Sequence, residues 1–120
     1  MSKRDELIKK YAVELKEKLG EDTDLDLLTK VTIGLGPSIY NADSATISGS
    51  DQSELRTVKN NFLIKKLGLK ESPELDTAIN NVIEKYGKSN RNKYRAVVYY
   101  LLTKHFKKEE VYIKRGTGPR

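Results

Sequence analysis

Residues 96–102, with the sequence AVVYYLL, constrain the fold of this chain more than any other stretch. Apolar side chains occupy all sides of a helix drawn through this run. A helix that is apolar all round is buried at the centre of a domain. The run is far shorter than the roughly 18 apolar residues that a membrane span needs. The sequence therefore predicts a central C-terminal helix over residues 90–106 and a soluble protein.

The spacing of the other apolar residues predicts four further helices. They run over residues 3–19, from about 24 to 33, from about 52 to 67 and from 73 to 86. Asp51 and Glu54 form a capping-box pattern at the start of the third of these helices. Ser72 followed by Pro73 indicates the start of the fourth, with a cap and then proline at the first helical position.

The second helix is expected to bury Leu25, Leu28 and Val31 on one face and to end near Ile33. The glycine-rich stretch GLGPS that follows lacks the Lys and Ser/Thr of a Walker loop and the third glycine of a dinucleotide loop. We interpret it as a helix stop with a tight turn. Residues 37–50 then form the longest irregular segment, and long internal loops are often functional.

These elements predict an all-α fold, a single compact domain of about five helices. The domain should span residues 1–112, with a helical hairpin at residues 73–106. Residues 113–120 have little to bury, so we expect a flexible basic tail there.

The residue types expected in catalytic and metal sites are scarce. The chain has no cysteine, which excludes disulfides and thiolate sites and favours the reducing cytoplasm. Its single histidine, His105, has no partner motif, so we interpret it as structural rather than catalytic. The acids Asp22, Asp24 and Asp26 lack the glycine and glutamate of a calcium loop and suit a helix N-terminus instead. We expect no enzyme activity, no cofactor and no metal.

Four stretches carry a resemblance to a known family. They are MSKRDELIKKYA, LLTKVTIGLGPSIYNAD, TVKNNFLIKKLGL and IEKYGKSNRNKYRAVVYYLLTKHF. They resemble a small bacterial family described only as a domain of unknown function, and the resemblance runs from Met1 to about Tyr112. It implies a compact helical protein of the bacterial cytoplasm. It brings no activity and no catalytic residues.

Charge is unevenly distributed along the chain. The net charge is +6, yet residues 21–60 carry three cations and seven acids, while residues 61–120 carry fourteen cations and six acids. Such asymmetry indicates an anionic partner, although ordinary lysine-rich solubility explains it equally well.

The most basic stretch, KSNRNKYR, lies at residues 88–95. If Ser89 or Asn90 caps the last helix, then Arg91, Lys93 and Arg95 occupy its first turn and a half. There they oppose the helix dipole by up to about 0.3–1 kcal/mol each. Three interpretations remain open. The cations pair with acids of the middle segment such as Asp22, Asp24, Asp26 or Asp51, they are solvated, or they bind an anion together with free backbone N–H groups.

A nucleic-acid hypothesis rests on this basic turn, because residues 73–106 resemble a helix-turn-helix in outline. Its candidate contact residues are Lys85, Lys88, Arg91, Asn92, Lys93 and Arg95. The hypothesis requires these cations to be exposed to solvent. Tyr94, Tyr99 and Tyr100 follow closely, but their apolar surroundings favour burial over a stacking platform for bases.

The sequence favours a non-enzymatic binding or accessory module, with a protein or a nucleic acid as its partner. It does not specify an oligomeric state. A protein-binding module predicts an exposed apolar patch, and nucleic-acid binding predicts the exposed basic turn. An enzyme or small-ligand binder using the 34–44 loop predicts a pocket with titratable groups near Tyr40, Asn41 and Asp43.

Overall fold

Five α-helices make up most of the computed structural model, which describes residues 3–20, 23–41, 45–47, 51–87, 93–109 and 111–112. In chain order the helices are α1 (Lys3–Leu19), α2 (Leu25–Leu35), α3 (Gln52–Thr57), α4 (Pro73–Tyr86) and α5 (Arg95–His105). The all-α, single-domain prediction is confirmed, since the chain is mostly helical and folds around one core. None of the helices in these ranges has the length and apolar character needed to cross a membrane.

Two helical segments of other types extend this set. A 3-10 helix, Gly36–Tyr40, continues directly from α2, and a π-helix, Val58–Ile64, continues from α3. The wider π turn persists beyond Ile64, where the Leu67 N–H donates to the Phe62 carbonyl at 2.9 Å. The sequence pattern predicted one uninterrupted helix here, because apolar spacing does not distinguish the two helix types.

Acidic side chains cap two of the helices. An Asp24 carboxylate oxygen accepts from the Leu27 N–H at 3.2 Å, and an Asp51 oxygen accepts from the Ser53 and Glu54 N–H groups at 2.9 and 3.3 Å. These bonds satisfy N–H groups that have no partner within a helix's first turn. The predicted cap at Asp51 is confirmed. The acid at Asp24 serves the helix, as expected, rather than a calcium loop.

The start of the last helix differs from the prediction. Helix α5 begins at Arg95 and not near residue 90, because Lys93–Tyr94 form a short strand, β2, that pairs antiparallel with β1 (Thr46–Ile47). Thr46 lies opposite Tyr94, and Ile47 lies opposite Lys93. Tyr94 is therefore extended and becomes the cap residue of α5. The predicted caps, Ser89 and Asn90, lie outside the described residues.

The core is built around α5, as the sequence predicts. Every residue from 96 to 103 is buried, and α5 packs against α1, α2 and α4. The Phe62 ring of the π-helix stacks on Tyr99, with centroids 3.9 Å apart and planes 15° from parallel. The buried hydroxyl of Thr103 has a hydrogen-bond partner, because it donates to the Tyr99 carbonyl at 2.8 Å. Residues 113–120 lie outside the described residues, so a flexible tail there stays a prediction.

Candidate partner-binding surface

Lys93 does not have the position that a phosphate contact requires. Lys93 is only 2% exposed, and it lies in β2 rather than in the first turn of a helix. Burial lowers the pKa of its ammonium group below the usual lysine value, because a charged group loses hydration inside the protein. Lys93 thus belongs to the interior of the fold, and the prediction that it lies exposed in a helical turn is wrong.

Arg95 is held within the protein as well. Its Nη2 donates to Glu54 Oε1 at 2.8 Å, and its Nη1 donates to the Tyr99 hydroxyl at 3.3 Å. The guanidinium also lies 5.8 Å from the centre of the Tyr99 ring. This matches the interpretation that the cations pair with acids of the middle segment, although the acid is Glu54 rather than one of the four named aspartates. Arg95 ties α5 to α3.

The remaining candidates of the basic turn are divided between exposed and undescribed positions. Lys85 is exposed in the last turn of α4. Lys88, Arg91 and Asn92 lie outside the described residues, so their role stays a prediction. Among the candidates that the structure does describe, only Lys85 faces solvent in the way that the nucleic-acid hypothesis requires.

Two tyrosines that follow the basic turn, Tyr99 and Tyr100, are structural, as expected. Tyr99 and Tyr100 are buried, and the Tyr100 hydroxyl accepts from the Asp24 N–H at 2.8 Å. A second polar link was not predicted by the sequence. The Tyr86 hydroxyl donates to Glu14 Oε2 at 2.7 Å and accepts from the Tyr94 N–H at 3.2 Å. Burial, followed by the hydrogen bond to Glu14, raises the pKa of Tyr86 far above its usual value.

An apolar surface lies at the C-terminal end of α2. Ile33 is 49% exposed and Tyr40 is 47% exposed, and together with Arg4 and Pro37 they line a cleft of about 270 Å³. We call these four residues the α2 surface. Single exposed apolar side chains are ordinary, but several around one concave site mark an interaction surface.

The backbone at Gly36 creates this surface. Gly36 has φ 66° and ψ −152°, a conformation almost confined to glycine, and it turns the chain from α2 into the 3-10 helix. The turn buries Ile39 while Tyr40 remains exposed in the cleft beside Ile33. The predicted helix stop is therefore confirmed, with α2 ending at Leu35.

The apolar character of α2 extends beyond the cleft. Leu25 is 56% exposed and therefore does not share the buried face with Leu28 and Val31 as predicted; Leu27 takes its place in the core. Leu25 and Ile33 are eight residues apart, which places them about 12 Å apart along the axis of α2 and about 80° apart around it. Each end of α2 thus carries one exposed apolar side chain.

Two cations lie at the α2 surface, Arg4 within it and Lys3 beside it. Arg4 lines the cleft, and the Lys3 ammonium lies 5.9 Å from the centre of the Tyr40 ring. Both come from the first turns of α1. A partner that buries an apolar side chain here would find positive charge beside it. Asn41 is exposed next to the cleft, and Asp43 lies outside the described residues.

One protein family matches most of the chain. The model of DUF2853, described as a protein of unknown function, matches residues 10–110. The chain belongs to the DUF2853 family. This confirms the resemblance found in the sequence. A comparison with curated proteins finds no match for this DUF2853 chain.

The matched span includes most of the α2 surface. Ile33, Pro37 and Tyr40 lie inside residues 10–110, whereas Arg4 precedes them. The apolar part of the cleft is thus formed by the DUF2853 region itself, and the cation is added by the start of α1.

Proposed function

We propose that this DUF2853 protein is a non-enzymatic binding module that holds a protein partner on the α2 surface. The observation that supports this most strongly is the exposure of Ile33 and Tyr40, each about half exposed, around one cleft. Aromatic side chains and arginine are the residue types that contribute most to protein–protein affinity. The α2 surface supplies both, in Tyr40 and Arg4.

The mostly apolar lining of the cleft suits one apolar side chain of a partner, and the cleft is too small to enclose a drug-sized ligand. Its volume of about 270 Å³ is below the roughly 300–1,000 Å³ of pockets that enclose drug-sized ligands. Leu25, which is exposed near the start of α2, would add contact area outside the cleft. We infer a short peptide segment that inserts one apolar side chain and lies along α2.

The charge around the cleft favours an acidic residue in that segment. Arg4 lines the cleft and Lys3 lies over Tyr40. A carboxylate next to the inserted apolar side chain would form a charge-assisted hydrogen bond with Arg4. Such pairing sets the orientation of the partner and favours acidic partners over basic ones.

The lining of the cleft supports binding rather than catalysis. Thr32, Ile33, Gly36 and Pro37 form much of its wall. Among the described lining residues the ionisable groups are the Arg4 guanidinium and the Tyr40 phenol. Histidine and carboxylate side chains, the groups that act most often as general acids and bases, are not among these described lining residues.

A displayed library of random peptides, selected on the wild-type protein, tests the proposal. The selected peptides should carry an aromatic or aliphatic residue close to Asp or Glu. Ile33→Ser combined with Tyr40→Ser should weaken their binding by about tenfold or more, and Arg4→Glu by several-fold with loss of the acidic preference. Fluorescence anisotropy with synthetic peptides measures these ratios.

Val13→Ser is the matched control, because Val13 is also exposed, at 52%, and lies nine positions from Arg4 on α1. Nine positions correspond to about half a turn around a helix, so Val13 faces away from the cleft. The control should bind like wild type. Peptides that bind the Ile33→Ser/Tyr40→Ser variant as tightly as wild type would contradict the proposal. So would a wild-type dimer that this variant converts to a monomer in sedimentation, because the occupant would then be a second copy of the chain.

A further inference from the structure

A second cleft lies between the last turns of α4 and α5. It has a volume of about 260 Å³ and is lined by Asn81, Val82, Lys85, Leu101, Lys104 and His105. Two lysines and the chain's single histidine therefore border one concave site. We propose that this cleft binds the phosphate group of a small phosphorylated molecule. The proposal is independent of the α2 surface.

The sequence spacing explains why these groups meet. Asn81 and Lys85 are four residues apart and lie on one side of α4. On α5, Leu101 precedes Lys104 and His105 by three and four residues, so these three also share a side of the helix. Where α4 packs against α5, the two polar pairs border the same cleft.

The floor of the cleft is apolar. Val82 and Leu101 are both buried, and they belong to the core that α4 and α5 share. The cations thus stand beside a wall that excludes water on one side. Their attraction for an anion is stronger there than on a flat surface, because the effective dielectric constant is lower near the protein interior. The floor also offers contact for a small organic group attached to the phosphate.

The helix ends provide a competing explanation for the cations. Cations in the last turn of a helix offset its dipole, which stabilises the helix by about 0.3–1 kcal/mol. This explains a lysine at the end of α4 and another at the end of α5. It does not require both lysines and the imidazole to border the same cleft. The backbone at these ends presents carbonyl groups, so an anion must be bound by side chains.

The ion pair between Lys104 and Glu109 is weak. Lys104 Nζ lies 3.8 Å from a Glu109 oxygen, and the two side chains are 42% and 32% exposed. A pair of this length and exposure contributes little to stability. Lys104 can therefore exchange Glu109 for a phosphate oxygen. The two negative groups would compete, and removal of Glu109 should strengthen phosphate binding.

A small molecule fits this site better than a nucleic acid. Nucleic acid binds along an extended basic stripe that contacts several phosphates. Lys93 and Arg95 are turned into the protein, so they do not extend the charge of Lys85 in that direction. Lys85, Lys104 and His105 border one cleft, and a single phosphate group is small enough to contact them together.

Two-dimensional amide NMR of the ¹⁵N-labelled full chain tests the proposal, with inorganic phosphate, phenyl phosphate and a single-stranded RNA as separate probes. Phosphate and phenyl phosphate should shift the amides of Asn81, Lys85, Lys104 and His105, with phenyl phosphate binding more tightly because of the apolar floor. Lys85→Gln combined with Lys104→Gln should weaken binding by about tenfold. The matched control is Lys65→Gln with Lys70→Gln, which removes the same charge at exposed positions outside the cleft and should change binding less than twofold.

The role of His105 is tested with sulfate as the probe. The imidazole borders the cleft beside Lys85 and Lys104, so a ring N–H can donate a hydrogen bond to a sulfate oxygen. His105→Asn should weaken sulfate binding, because the shorter amide does not reach the position of the imidazole Nε2. Glu109→Gln should strengthen it, because the change removes the carboxylate that competes for Lys104.

Three outcomes would overturn the proposal. The first is an absence of shifts at the cleft in about 10 mM phosphate, ten times a millimolar dissociation constant. The second is an equal loss of binding in the Lys65→Gln/Lys70→Gln control, which would indicate non-specific charge attraction. The third is RNA binding at the cleft without binding of either small phosphate. If the Lys85→Gln/Lys104→Gln variant unfolds, the single variants His105→Asn and Glu109→Gln decide the question with their opposite predicted effects.

Discussion

Residues 93–95 and residues 33–40 both contain side chains in environments that are unusual for their type. The first region buries polar side chains, and the second exposes apolar ones. In the first region a lysine is buried and an arginine is paired within the protein. In the second, an isoleucine and a tyrosine remain half exposed. Both regions lie at the end of a helix, where one turn of the chain decides which way the side chains face. The first region therefore links parts of the fold, and the second leaves apolar side chains at the surface.

The largest expected difference is between an aromatic residue packed near the first region and one that belongs to the second. Phe62, stacked on Tyr99 next to Arg95, is 3% exposed. Phe62→Ala should lower the free energy of unfolding by about 3–5 kcal/mol, because it leaves a cavity in the core. Tyr40→Ala should lower it by at most about 1 kcal/mol, through loss of the contact with Lys3. Urea denaturation measures both values, and equal losses would show that Tyr40 supports the fold.

A second comparison concerns the ion pairs. Glu54→Ala should lower the free energy of unfolding by about 1–3 kcal/mol, because it leaves the Arg95 guanidinium without its charged acceptor in a mostly buried position. The Asp26 and Lys30 pair on α2 joins atoms 3.2 Å apart but is more exposed. Asp26→Ala should therefore cost about 0–1 kcal/mol. Thermal unfolding measures the stability of both variants. A larger loss of stability in Asp26→Ala than in Glu54→Ala would contradict this comparison.

The two glycines at the end of α2, Gly34 and Gly36, should respond in opposite ways. Gly36→Ala should destabilise the protein by about 1–3 kcal/mol, since its φ of 66° and ψ of −152° strain any residue with a Cβ. Gly34→Ala should stabilise it by about 0.5–1 kcal/mol, because Gly34 lies within α2. A Cβ added there would meet the Tyr112 ring at 3.6 Å, an ordinary contact distance. Melting temperatures of the two variants should shift in opposite directions, and a shared direction would contradict this account of the turn.

The smallest effect concerns Lys93 and its dependence on pH. Burial lowers the pKa of Lys93 in the folded protein, so the unfolded chain binds more protons between that pKa and the ordinary value of 10.5. The stability of the wild type relative to Lys93→Met should therefore rise as the pH increases through this interval. Denaturation curves at several pH values up to about 10 give the difference, with Lys70→Met as the exposed control, which should show no such trend. A difference that stays constant with pH would contradict the burial of a charged Lys93.

The sequence predicted most of the fold because the fold depends on apolar periodicity. The run at residues 96–102 identified the central helix, and Asp51 and Pro73 marked two helix starts. The predicted start of α5 was wrong. The observed start depends on the pairing of Lys93–Tyr94 with Thr46–Ile47, which are distant in the sequence. Two-residue strands leave no periodic pattern to detect.

The candidate surface was only partly predictable. An exposed apolar patch was expected of a binding module, but the pattern placed Leu25 in the core and gave Ile33 no role beyond the end of a helix. Which of several apolar residues on a short helix faces solvent depends on how α2 packs against α1 and α5. Local signals did exist, since Gly34, Gly36 and Pro37 predicted the end of the helix, and Tyr40 was expected near a pocket in the enzyme or ligand alternative.

The most direct test of the α2 surface is an amide NMR titration of the wild-type protein with a selected peptide that carries one aromatic residue next to an acid. We expect the amides of Arg4 and of residues 33–40 other than Pro37 to shift, while those of Lys93, Arg95 and Val13 do not. Shifts confined to the region of residues 93–95, or to Val13, with residues 33–40 unchanged, would contradict the proposal that the partner binds at the end of α2.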